Sequence, residues 1–206
     1  MNNLQEICPV QFPEYTGINI NMMPIIFGDS VSIPEELHGY IPILEECNLQ
    51  WFTTVYLTIT ETIVEAGNSQ RRPGIHTDRV RAGDWGGGWG GGYFDNLPLE
   101  GIYIASTDGL TEIWDKQVTD VGLMGECNCL DPGITTKANT LYWMTDKTPH
   151  RNLPSPVSGR RQFVRVVADR VSFWFSKHST TNPLGIKPNA TVINADKFSA
   201  SIFRGY

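Results

Sequence analysis

Charge is scarce in this chain of 206 residues. Asp, Glu, Lys and Arg make up 18% of it, and acidic residues lead, for a net charge of −6 and a pI near 5.2. That balance argues against an extended nucleic-acid footprint and against docking on anionic membranes. No apolar run approaches the ~18 residues of a membrane span. The first fifteen residues lack the basic stretch and apolar run of a secretory signal, so a cytoplasmic protein is expected. Cysteine is also sparse. Cys8, Cys47, Cys127 and Cys129 are expected to stay reduced, and no Cys-x-x-Cys pair points to thiolate metal binding.

Turn formers and tryptophan, by contrast, are well supplied: Gly 20, Pro 13, Trp 6. The length suits one domain with a full core. Turn residues spaced between aromatic and β-branched runs predict a mainly β fold, a sandwich or barrel. From Trp51 to Ala66, Val55, Leu57 and Ile59 alternate with Tyr56, Thr58 and Thr60, a strand with two distinct faces. Shorter strands are expected over Gly101–Ala105, Thr111–Trp114, Thr140–Met144, Gln162–Ala168 and Val171–Ser176. The stretch of about 1–50 reads as irregular, with one short helix opening at Ser32 as N-cap. The core is expected over about 51–178, with an extension over about 179–206. Seven glycines in the ten residues of 83–92 cannot sustain a helix or a regular strand. That loop, 83–96, is read equally as a lid whose Trp85 and Trp89 meet substrate and as plain surface.

The chain has four histidines, His38, His76, His150 and His178. In an extended segment, residues two apart face the same side, so His76 and Asp78 can address a common point. Taken alone, they better suit a turn in which Asp78 caps a backbone amide and His76 packs nearby; with His150 and Arg161 added, the metal reading leads. His150 follows a strand signal at Thr140–Met144 and a turn signal at 145–149, where a third ligand is expected. Two imidazoles and one carboxylate on one face of a metal suit Fe(II) oxygen chemistry. Beyond them, Arg161, Phe163 and Arg165 share a strand face. A guanidinium there can hold a carboxylate through two parallel bonds.

His76-Thr77-Asp78, then His150 after 74 residues, then Arg161 after 11 more, resembles the pattern of the Fe(II)/2-oxoglutarate-dependent dioxygenases. The resemblance spans about Val55 to Ser176. It implies a double-stranded β-helix (jelly-roll, cupin-like) core with short flanking helices. It also implies that His76, Asp78 and His150 bind iron and that 2-oxoglutarate and O2 are consumed with a small-molecule or residue substrate. Arg161 is then the first choice to anchor the far carboxylate of 2-oxoglutarate, followed by Arg165, Arg160 and Arg170. Two rival readings are a cupin-like metalloenzyme that does not use 2-oxoglutarate and a non-catalytic β-sandwich binding protein.

Overall fold

The computed structural model describes residues 2–79 and 100–197. It is mainly β. Strands β1 (Leu4–Pro9), β2 (Asn19–Ile26), β3 (Thr54–Val64), β4 (Ile102–Ser106), β7 (Thr140–Met144) and β9 (Gly159–Val167) form one antiparallel sheet. Its spatial order is β1-β7-β4-β9-β3-β2. A second antiparallel sheet joins β6 (Ile134–Thr135), β5 (Thr111–Ile113) and β8 (His150–Asn152). Strands β10 (Phe173–Phe175) and β11 (Thr191–Ile193) pair in parallel. Among the described residues no sheet closes on itself into a barrel, and no helix is long and apolar enough to cross a membrane.

The period-2 pattern explains how the large sheet is covered. Leu57 and Ile59 of β3, Leu141 and Trp143 of β7 and Val164 and Val166 of β9 bury one face. Against that face pack Leu37 and Tyr40 from a 3-10 helix at Glu35–Tyr40, and Ile43 and Leu44 from the short helix α1 (Ile41–Glu45). The alternate residues, Tyr56, Ile104, Tyr142, Met144, Phe163 and Val167, bury the other face together with Ile113 of β5. The sheet is therefore sandwiched, and each fully buried large side chain contributes about 1.5–3 kcal/mol of transfer free energy. Arg161 and Arg165 share the parity of Phe163 and so belong to the face turned toward the small sheet. Trp143 and Trp174 are core residues.

The N-terminal region departs from expectation. It supplies both edge strands of the large sheet, β1 beside β7 and β2 beside β3. Register shifts interrupt both pairings, and Met22 takes a left-handed φ of 49°; these breaks disrupt the alternation that marks a strand. The helix start differs as well. Asp29, not Ser32, caps the first 3-10 turn, accepting from Val31 N at 3.0 Å. The Ser32 hydroxyl instead ties back to Ile26 and Asp29.

Candidate metal centre and its cavity

Pro73 and Gly74 end the irregular run after β3, and the chain re-enters an extended path at His76. There it pairs with β8: His76 N donates to His150 O at 3.0 Å and His150 N to His76 O at 2.9 Å. A reciprocal antiparallel pair sets two residues directly opposite with side chains on one face. The two imidazole centroids are accordingly 4.4 Å apart. Asp78 follows two residues on, and its carboxylate joins them. One ligand atom from each of His76, Asp78 and His150 lies within 4.8 Å of the others. Ligands separated by 74 residues of sequence thus meet at one point.

Two flanking backbone bonds fix the carrier segment. Thr77 N donates to Gly125 O at 2.9 Å and Arg79 N to Asp146 O at 2.8 Å. Gly125 sits at φ +83°, and a Cβ there would stand 2.2 Å from Thr77 O, so a side chain must push the ligand segment away. Gly125→Ala is expected to weaken metal affinity about 10-fold or more, as loss of ligand orientation does. A competition titration against a chromophoric chelator measures it, and an unchanged affinity would show that this contact does not orient Asp78.

The hydrogen bonds assign the donor atoms. His76 Nδ1 lies 2.7 Å from Gly74 O, and His150 Nδ1 lies 3.1 Å from Thr148 O. A carbonyl only accepts, so both rings carry their proton on Nδ1 and present the Nε2 lone pair. Burial lowers His76 to about 3, helped by the neighbouring His150 ring. Burial also lowers His150, against the pull of Asp78. Both rings are therefore neutral at physiological pH, the state a metal needs. For Asp78, burial raises the carboxyl, but Arg165 together with His150, Lys197 and His76 outweighs it and holds Asp78 well below the usual carboxylate range. Arg165 Nη1 donates to Asp78 Oδ2 at 3.1 Å. The other oxygen, Oδ1, is 3.9 Å from His150 Nε2, too far for a hydrogen bond. Two lone-pair nitrogens and one carboxylate oxygen thus face each other, with no thiolate in the group. With metal bonds of ~2.1 Å, one ion closes this group by small side-chain shifts.

Beside the group opens a cavity of about 410 Å³, a volume that suits a small organic ligand. Arg71, Arg72, Arg165 and Lys197 line it, against one lining carboxylate among the described residues, that of Asp78. Burial lowers Lys197 to about 7, with Asp78 pulling the other way. The two arginines expected to anchor a co-substrate are committed to protein carboxylates. Arg161 Nε lies 2.7 Å from Asp108 Oδ2 and its Nη1 donates to Asn152 Oδ1 at 2.8 Å; it is not among the residues lining the cavity. Arg165 lines the cavity but holds Asp78. Arg160 is exposed over Tyr15, and Arg170 pairs with Glu100. His38 is exposed, whereas His178 lines the cavity. The four cysteines are unbridged. The glycine-rich loop lies outside the described residues. Sequence reasoning missed Arg71 and Lys197. The Arg71-Arg72 pair just before Pro73-Gly74 was a usable signal, and Lys197 had none.

No family model matches the chain, and neither a curated protein nor a solved structure matches it.

Proposed function

We propose that this protein is an Fe(II)- and 2-oxoglutarate-dependent oxygenase acting on a small molecule or an exposed residue. The observation that carries the reading is the convergence of His76, Asp78 and His150 at the mouth of a cation-lined cavity. Two imidazoles and one carboxylate leave the remaining positions of an octahedral ion open to co-substrate and oxygen. The strand path supports a jelly-roll. From β3 to β9 the chain alternates between the two sheets, with the His76 segment, β5–β6 and β8 in the small one and β4, β7 and β9 in the large one.

In this reading, His76 and His150 offer Nε2 and Asp78 offers Oδ1. Gly74 O and Thr148 O lock the two ring orientations, and Arg165 keeps the carboxylate ionised and aimed. When bound, Fe(II) supplies oxygen activation coupled to decarboxylation of 2-oxoglutarate to succinate and carbon dioxide. The apolar wall of Ile104, Met144 and Phe163 excludes water from one side of the cavity, so charges there interact more strongly than in solvent. The cations that line the cavity beside these residues favour acidic ligands.

The deciding measurement is succinate formation by purified protein given Fe(II), 2-oxoglutarate and oxygen. Succinate in excess of a metal-free control is the expected result. Metal binding without succinate would favour the cupin-like alternative, and no metal binding at all would favour a non-catalytic sandwich.

A further inference from the structure

The resemblance puts the co-substrate anchor on the last core strand, yet the structure ties Arg161 to Asp108 and Asn152. A different arginine faces the cavity. Arg71 lies on the connection after β3, and its guanidinium stacks over the Phe163 ring, 5.1 Å from the centroid. Its Nη1 reaches Thr60 Oγ1 at 3.3 Å. Among the described residues, no carboxylate lies within ion-pair distance of it.

Its neighbours hold it rigidly. Gln70 Nε2 donates to Thr60 O, Thr62 Oγ1 and Arg161 O, at 3.0, 2.9 and 3.1 Å. Arg72 donates to Met124 O at 2.8 Å and to Glu126 at 2.9 Å. Arg71 is thus clamped on both sides, and its charge is met by one hydroxyl and one ring face. Such a fork is preorganised for a two-pronged bond to an incoming carboxylate. Its place also fits. Phe163 and Arg165 share a strand face two residues apart, ~7 Å along the strand, and Arg165 touches Asp78. The guanidinium is therefore set back from the metal ligands by a span that a five-carbon diacid can bridge.

We infer that Arg71, rather than Arg161, receives the far carboxylate of a dicarboxylic 2-oxo acid in this cavity. The inference rests on the oxygenase reading. It makes a selective prediction, because a 2-oxo acid without a second carboxylate has nothing to offer Arg71.

The test is an anaerobic titration of the Fe(II)-loaded full chain with 2-oxoglutarate and with 2-oxobutyrate, read by the visible metal-to-ligand band. Arg71→Gln removes the charge and keeps a polar side chain. It is expected to raise the Kd for 2-oxoglutarate about 10- to 100-fold and to leave that for 2-oxobutyrate unchanged. Arg71→Lys should recover part of the loss, and Arg161→Gln should not discriminate between the acids. Chelator competition confirms that each variant still binds Fe(II). An unchanged Kd in Arg71→Gln, equal weakening for both acids, or selective weakening in Arg161→Gln instead would each overturn the inference. Absence of the band in wild-type protein that binds Fe(II) would overturn the oxygenase reading itself, and the inference with it.

Discussion

His150→Ala abolishes the visible band that Fe(II) and 2-oxoglutarate give with wild-type protein, and lowers Fe(II) affinity by more than about 100-fold. The expectation follows from ligand count. Changes beyond the ligand shell already cost 10- to 100-fold in affinity, and here one of three protein ligands is lost outright. The fold should survive. His150 is held in place by backbone bonds with His76, which do not depend on its side chain. The truncated ring gives up one hydrogen bond to Thr148 O, a loss of about 1 kcal/mol. Chelator competition and anaerobic absorbance check the two halves of the prediction. If the variant binds Fe(II) and shows the band as wild type does, His150 is not a ligand and the site is misassigned.

Asp78→Ala would be a poorer probe of the same idea. Arg165 is buried against Asp78, and breaking a buried pair by removing one partner costs about 3–5 kcal/mol. A fall in metal binding there mixes loss of a ligand with local collapse. His150, a neutral ring, separates the two.

The parts of the fold that could be read from the chain are those where one physical rule dominates. β3 alternates between an aliphatic face and one of Tyr and Thr, whereas β7 reads as a short continuous run because both of its faces are buried, and Thr140–Met144 matches the strand to the residue. The edge strands were hidden because their pairing shifts register and each contains a proline, which edges tolerate. The candidate metal ligands were legible for a local reason. His76 and Asp78 are two apart on an extended segment, and His150 sits at the start of a strand beside it. The anchor was not legible in the same way. Whether Arg161 is available depends on Asp108, brought to it from the turn after β4, and no spacing rule reports that. Arg71 owes its position to Thr60 and Phe163, which are adjacent to each other in the β3–β9 register, and Phe163 is distant from Arg71 in sequence.

The same strand that bears Thr60 toward Arg71 bears Glu61 toward the opposite face, and Glu61 ties several segments together. Its Oε2 accepts from the backbone of Thr16, Gly17 and Ile18 at 2.7, 2.6 and 3.1 Å. Its Oε1 accepts from Tyr40 Oη at 2.6 Å and Gln162 Nε2 at 3.1 Å. One carboxylate thereby joins the N-terminal segment, the 3-10 helix and β9. Glu61→Ala strands several of these donors in a buried site, so a loss of about 3–5 kcal/mol in urea unfolding is expected. The pH dependence follows. Burial raises the Glu61 carboxyl, but Tyr40 and the backbone donors outweigh it, so its folded value lies below the ordinary one. A depressed folded value means that the stabilisation is present above the unfolded Glu value of about 4.3. It is lost as pH falls through the folded value. Glu61→Gln, which cannot titrate, should therefore flatten the fall in stability between about pH 5 and pH 3. Equal slopes for the two proteins would mean that another carboxylate governs the acid limb. Glu61 would then be a packed hydrogen-bond acceptor whose charge adds nothing to the fold.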